Sequence, residues 1–245
     1  MMQEASAKPE YGIDAPGVIR NLLVGGAASL VAGRLVPSVT LGGITFILKP
    51  MFINTGVGCL LAGVLMLLYA KYGKFGHRDR ILNVVKWRGD ERVLDVGTGA
   101  GLLLIGAAKR LTTGKAVGID LWSQVDLSGN GPERVLKNAE LEGVSGKIEV
   151  VSGDATEMKF ADGSFDVVVS NLCIHNIPSK EGRGKACREI VRVLKPGGKI
   201  MISDFIHTGE YVKAFRAAGM AMEPGISMSW STFPPLRILK GKKAG

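Results

Sequence analysis

Arg92-Val-Leu-Asp-Val-Gly-Thr-Gly-Ala-Gly101 is the stretch on which the fold turns. Arg92–Val96 has the apolar, β-branched pattern of a buried strand. Three glycines at alternate positions follow, and Leu102–Leu111 then reads as a helix. Gly97 and Gly99 reach backbone torsions closed to other residues. They also let a ligand lie against the main chain. The helix beyond presents free N–H groups at its N-terminus. Strand, glycine turn and helix in that order make a cofactor-binding corner, and several cofactors use one. Nicotinamide enzymes use G-x-G-x-x-G, whereas the spacing here is G-x-G-x-G. Asp95 stands inside the strand, two residues before the first glycine. An acid beneath the turn disfavours a pyrophosphate and suits a cationic or zwitterionic ligand. A dehydrogenase is the alternative that the turn alone leaves open.

Working outward, strand and helix signals alternate. Arg80–Lys86 reads as a short lead-in helix closed by Gly89-Asp90. Further strands are expected at Ala116–Asp120, Lys147–Ser152, Asp166–Ser170 and Lys199–Asp204. Helices are expected at Pro132–Glu142, Lys180–Leu194 and Glu210–Ala218. Two last strands fall near Met222–Trp230 and Leu236–Lys240. This alternation predicts an α/β fold: a Rossmann-like, seven-stranded, mostly parallel sheet with helices on both faces.

Val93–Gly101 resembles the first motif of the class I methyltransferases that depend on S-adenosylmethionine (SAM). The resemblance runs through residues 76–243. Val117-Gly-Ile-Asp120 resembles the second motif, and Gly153-Asp154-Ala155 the third. Ser164-Phe-Asp-Val-Val-Val-Ser-Asn171 resembles the fourth, and Leu194-Lys-Pro-Gly-Gly-Lys199 the loop before strand five. The pattern is most similar to the small-molecule and lipid branch, of the type 11 kind. The resemblance implies that Asp95 and the backbone of Gly97, Thr98, Gly99 and Gly101 hold the methionine end of SAM. It implies that Asp120 accepts the ribose hydroxyls, with Leu121 and Trp122 beside the nucleoside. Asp154 would take the adenine amino group and Ala155 supply a backbone N–H. Asn171 and Leu172 would line the methionine tail. His175 and Asn176 follow strand four on the loop facing the transferring methyl, and they are the candidate catalytic residues. A loop His that only caps backbone is the competing reading of His175.

Two apolar stretches precede this domain. Met51–Ala70 is 20 residues without a charge, long enough at 1.5 Å per residue for the roughly 30 Å of a bilayer core. Val18–Val36 carries Arg20 and Arg34 near its ends, where they can snorkel. Pro37 and a short apolar run, Val39–Leu48, follow; one long helix kinked near Pro37 is an alternative. The expected organisation is a tail over 1–17, a membrane helical hairpin over 18–70, a basic linker with the lead-in helix over 71–91, and the methyltransferase domain over 92–245. Gly25, Ser29 and Gly33, and Gly58 with Ala62, have the four-residue spacing that lets membrane helices approach closely. The same residues leave a homo-oligomer through the membrane helices open. The basic strip Lys71, Lys74, His77, Arg78, Arg80 predicts that the catalytic domain faces the cytosol. His77 and Tyr72 are read as interfacial anchors or as part of a cover over the cofactor. A soluble protein using these helices as a partner interface is the competing reading.

All but four of the 31 Lys and Arg lie beyond residue 70. They are spread rather than clustered, so no nucleic-acid partner is expected. Ser170-Asn171-Leu172-Cys173 also lacks the Asn/Asp-Pro-Pro-Tyr/Phe pattern of enzymes that methylate bases. Cys59, Cys173 and Cys187 form no CxxC pair, and no metal is expected. The expected function is methyl transfer from SAM to a small-molecule or lipid-like acceptor (an amine, hydroxyl, thiol, or quinone or sterol carbon), yielding S-adenosylhomocysteine. A SAM-binding membrane scaffold without turnover, or a methyltransferase for a soluble amine or imidazole metabolite, are the alternatives.

Overall fold

The computed structural model describes residues 8–227 and 231–245. Its centre is a sheet in the order β5-β4-β3-β6-β7-β10-β8. The strands are β3 (Arg92–Val96), β4 (Lys115–Asp120), β5 (Ile148–Ser152), β6 (Phe165–Asn171), β7 (Leu194–Asp204), β8 (Met220–Met222) and β10 (Arg237–Lys243). A short β9 (Ile226–Ser227) pairs with β10. β5, β4, β3, β6 and β7 run parallel, and β10 and β8 are antiparallel additions. Val93, Leu94 and Val96 of β3, and Val167–Val169 of β6, are buried, as strands covered on both faces require. The helices α4 (Leu102–Ala108), α5 (Pro132–Leu141), α6 (Lys180–Val193) and α7 (Thr208–Ala217) supply the covers. The seven expected strands are therefore present. The sixth is split into β8 and β9, and the expected Met228–Trp230 part lies outside the described residues. Pro196-Gly197-Gly198, expected in the loop before strand five, is not a separate loop. It lies inside β7, where the ladder skips from Phe165↔Leu194 to Val167↔Lys199.

Two long helices precede the sheet: α1 (Pro16–Leu35) and α2 (Lys49–Leu68). They pack against each other through small residues. A β-carbon at Gly26 would sit 2.9 Å from Gly56 O, and one at Gly63 would sit 2.8 Å from Leu23 Cδ2. Ser29 Oγ donates to Phe52 O at 2.8 Å. The close approaches recur seven residues apart on each helix: Gly26 meets Gly56, Gly33 meets Phe52, and Gly63 meets Leu23. Gly25 and Gly58 instead face outward, with nothing near them. Of the expected four-residue series, Ser29 and Gly33 serve the helix pair, whereas Gly25 and Gly58 do not. Between the helices stands neither a kink nor a continuous helix but a β-hairpin, β1 (Ser38–Leu41) and β2 (Ile44–Ile47). Gly42 and Gly43 both have positive φ, the torsions of a tight two-residue turn.

α2 does not stop at the domain. A π-helical turn, Tyr69–Gly73, leads straight into α3 (Lys74–Asn83), giving one helix of 35 residues over Lys49–Asn83. The lead-in helix therefore starts six residues before the expected Arg80. Residues 70, 74, 77 and 81 fall on one helical face, and Ala70, Lys74, His77 and Ile81 are all buried. The basic strip is thus divided: Lys71 and Arg80 are exposed, whereas Lys74 and His77 point into the protein. His77 is no interfacial anchor, while Tyr72 is 71% exposed. The described part of the N-terminal tail is also packed. Glu10 exchanges hydrogen bonds with Asn138 of α5, Tyr11 OH donates to Glu142, and Ala15 N donates to Asp126 O. Residues 8–15 form a strap across the domain that runs directly into α1.

Candidate cofactor site

A cavity of about 430 Å³ opens at the carboxyl ends of β3, β4 and β6. That is where an open parallel sheet leaves a crevice, because the crossovers on either side of β3 leave in opposite directions. The glycine turn forms its floor. Gly97 has φ +74°, and a β-carbon there would overlap Cys173 Sγ and Cβ. Only glycine lets the β3 turn and the loop after β6 approach this closely. Gly97 and Thr98 donate their N–H groups to Ile119 O, which fixes the turn against β4.

Asp95 is 1% exposed and lies under the turn. Its Oδ2 accepts from Thr98 Oγ1 and from Leu104 N, both at 2.9 Å. Its Oδ1 is buried and has no partner, and Asp95 lines the cavity. Burial pushes the Asp95 carboxyl up to about 7, the two hydrogen bonds oppose this, and the charge of Asp120 adds to it. An orphaned buried carboxylate oxygen carries a standing energetic cost, and a cationic donor in the cavity relieves it. Asp120 ends β4. Its Oδ2 accepts from Gly99 N at 2.8 Å and its Oδ1 from Trp122 N at 2.7 Å. Asn130 Nδ2 also donates to Oδ1 at 3.3 Å, so the lone pair left for a further donor, such as a ribose hydroxyl, is on Oδ2. Asp154 and Ala155 form the opposite rim. Asp154 Oδ1 accepts from Thr156 N, leaving Oδ2 for an amino group.

The cavity brings together Asp95, Gly97, Thr98, Gly99, Asp120, Leu121, Asp154, Ala155, Asn171 and Asn176 from among the expected residues. Gly101, Trp122, Leu172 and His175 do not line it. Gly101 caps α4 at positive φ. The Trp122 indole is turned to Ser152 Oγ at 2.8 Å. Leu172 has φ +53° and ties the loop down by donating its N–H to Ser203 O. His175 lies against the buried Asp204, with Nδ1 2.9 Å from Oδ1, and packs edge-on to Phe205. The candidate pair is thereby separated: Asn176 faces the cavity and His175 braces the loop behind it.

Sequence reading passed over Tyr11, Asp14 and Lys74, which close the cavity from above. Lys74 Nζ donates to Tyr11 O at 2.8 Å, to Gly12 O at 2.6 Å and to Asp14 Oδ2 at 3.4 Å. Burial lowers the Lys74 ammonium and raises the Asp14 carboxyl, and each is the other's main compensation. The available signal was the 70–74–77–81 spacing, which marks a buried helical face. Behind the wall, His77 Nε2 lies 2.7 Å from Ser203 Oγ. Its burial lowers the imidazole to about 4, so it is neutral at pH 7. Among the described residues no group of His, Cys, Asp and Glu could hold a metal ion.

Residues 94–202 match a family model described as a methyltransferase domain. The chain is 31% identical over 128 residues to the ubiquinone/menaquinone biosynthesis C-methyltransferase UbiE of Dinoroseobacter shibae, covering 52% of this chain and 48% of that one. It is 37% identical over 122 residues to the sterol 24-C-methyltransferase erg6 of Aspergillus fumigatus, covering 49% and 29%. The matched segment thus spans at most about half of these relatives. In structure the chain is similar to a SAM-dependent methyltransferase from Methanosarcina mazei, with TM-score 0.55, 19% identity, and 67% and 97% of the two chains covered. Sheet order, glycine turn and the acids ending β3 and β4 agree with this likeness. Residues 94–202 thus match a methyltransferase domain, and SAM is the cofactor that the likenesses in sequence and fold support.

Proposed function

We propose that the chain is a membrane-anchored methyltransferase acting on a small-molecule or lipid-like acceptor. The observation that carries the catalytic half is the orphaned, buried Asp95 oxygen at the floor of a cavity lined by five carboxylates. Those carboxylates suit a ligand bearing a sulfonium and an ammonium. Bound SAM supplies a methyl already activated by its sulfonium. The protein's work is then positioning and the exclusion of water. Asp95 and the Gly97–Gly99 backbone would hold the methionine end, Asp120 the ribose, and Asp154 with Ala155 the adenine. Asn171 and Asn176 would line the side from which the acceptor approaches. Asn176 is exposed at the cavity mouth and would orient the acceptor through its amide.

The membrane half rests on α1 and α2. Each is 20 residues long, about 30 Å. Val24, Val31, Leu35, Val57, Leu61 and Leu68 are between 49% and 73% exposed. Apolar surface on two adjoining helices needs a cover, and the bilayer is the cover we infer. The described organisation becomes a strap (8–15), a hairpin (16–68) and a domain entered through α3, with Lys71 and Arg80 at the cytosolic interface. The acceptor class follows from this placement. The relatives named above act, by their names, in quinone and sterol methylation, and both are molecules that dissolve in bilayers. In the test, the full chain in detergent is titrated with SAM and with NAD. S-adenosylhomocysteine is then assayed with lipid, amine and thiol pools as acceptors. SAM binding with product from the lipid pool supports the proposal. Binding without product from any pool points to a scaffold, and NAD binding instead of SAM rejects the reading.

A further inference from the structure

The cavity contains a marked imbalance. Asp14, Asp95, Asp120, Asp126 and Asp154 line it, and among the described lining residues Lys74 is the one cation. A lone buried ammonium costs several kcal/mol in desolvation, yet Lys74 is only 4% exposed. Its partners divide by quality. Two backbone carbonyls lie at 2.6 and 2.8 Å, whereas the Asp14 carboxylate is at the longer 3.4 Å. The ammonium is thus positioned by neutral carbonyls and only loosely paired in charge. SAM ends in an α-amino acid, which carries an anion beside its ammonium. Asp95 offers an acceptor to the ammonium, but nothing in the glycine turn carries positive charge for the carboxylate.

We propose that Lys74 is the carboxylate anchor for the methionine end of SAM. This rests on the SAM reading given above. Lys74 is carried by the helix that continues from α2, and its carbonyl partners belong to the strap that continues into α1. Both ends of the apolar hairpin therefore meet at one group, and the cofactor's carboxylate is read by residues that the match over 94–202 does not include. All three Lys74 N–H groups are engaged, and the one to Asp14 is the longest, so the cofactor's carboxylate takes that donor while both carbonyl bonds to the strap stay.

The test compares SAM with decarboxylated S-adenosylmethionine, the same sulfonium without its carboxylate, by calorimetric titration of the full chain in detergent micelles. A charge-assisted hydrogen bond is worth about 1.5–3 kcal/mol, which predicts that wild type prefers SAM by roughly 10- to 100-fold. K74M should lose that preference by binding SAM more weakly while binding the decarboxylated ligand as before. K74R should keep most of it. A thermal melt without ligand checks that the strap is still seated. If K74M does not fold, the wild-type comparison alone decides, since equal affinity for the two ligands overturns the proposal. Equal losses for both ligands in K74M also overturn it and make Lys74 a clasp only. A wild type that binds neither ligand rejects the SAM reading itself.

Discussion

Replacing Asp95 by Asn should make the fold more stable and the cofactor site worse. Asp95 Oδ2 accepts two hydrogen bonds, and Oδ1 is buried without a partner. In Asp95→Asn the amide oxygen takes over the bonds from Thr98 and Leu104. The amide NH2 is thereby turned towards the cavity. In the wild type, burial holds the carboxyl at about 7, above its value in the unfolded chain. The folded state therefore binds that proton more tightly. Stability is full below about pH 4 and falls as pH rises through 7. Each pH unit in that window is worth about 1.4 kcal/mol, so the loss by pH 8 is on the order of 4 kcal/mol. The Asn variant does not pay it. At pH 8 without ligand its melting temperature should rise by roughly 8–16 °C, allowing about 2–4 °C per kcal/mol for a chain of this size. The difference should vanish near pH 4. SAM affinity should move the other way, weakening about 10- to 100-fold through loss of a charge-assisted bond. Wild-type affinity should climb with pH through about 7 and fall above about 8, where the α-ammonium of the ligand deprotonates. Asp95→Asn should lose the lower limb only. Melting curves at pH 4, 6 and 8 and calorimetric titrations across the same range measure all of this. An Asn variant that is less stable than wild type at pH 8, or that binds SAM unchanged, would refute the assignment of Asp95 as an ionised ligand-binding acid.

Further outcomes follow from the same geometry. Gly97→Ala puts a β-carbon onto Cys173 Sγ at φ +74°; the torsion alone costs about 1–2 kcal/mol. It should abolish SAM binding, and Cys173→Gly in the same chain should restore part of the lost melting temperature. Asn176→Ala should lower kcat at unchanged melting temperature, because Asn176 is exposed at the cavity mouth. His175→Ala should do the reverse, lowering the melting temperature through the loss of its packing on Asp204 and Phe205; a kcat collapse at unchanged stability would return His175 to the chemistry. Gly56→Leu should destabilise the helix pair in detergent by about 1–3 kcal/mol of overpacking, since its β-carbon meets Leu30 at 2.7 Å and Gly26 O at 2.9 Å. Gly58→Leu, on the open face, should be silent. Carbonate extraction should leave the full chain in the membrane pellet, and a chain released into the supernatant removes the membrane reading.

The sheet was legible because its strands are short continuous apolar runs bounded by glycines and charged residues, the pattern of strands covered on both faces. The floor of the site was legible for the same reason. Asp95, Asp120 and Asp154 each end or follow a strand, so local sequence places them at the crevice. The roof was not legible. Tyr11 and Asp14 are held at the cavity by hydrogen bonds to residues 60 or more positions away, and no local pattern encodes that. Lys74 reads in sequence with its basic neighbours as interfacial charge, although its helical face is shared with Ala70, His77 and Ile81. His175 and Asn176 are adjacent in sequence, but a 3₁₀ turn over Ile174–Asn176 sends their side chains apart. The turn between the apolar helices was passed over because Gly42-Gly43 is as ordinary in a membrane segment as in a hairpin. The small-residue contact was placed on the wrong glycines because a spacing of four and a spacing of seven share Gly33 but not Gly25.

The most direct measurement is the fate of a labelled methyl group. The full chain, reconstituted in vesicles made from total lipid extract, is incubated with methyl-tritiated SAM, and S-adenosylhomocysteine is quantified alongside label in the organic phase. Equal amounts of the two are expected, both reduced roughly 10- to 100-fold in Asp95→Asn at about pH 7.5 with SAM below saturation. S-adenosylhomocysteine that appears with label confined to the aqueous phase contradicts the lipid-like acceptor, and bound SAM that yields no product with lipid, amine or thiol pools contradicts methyl transfer itself.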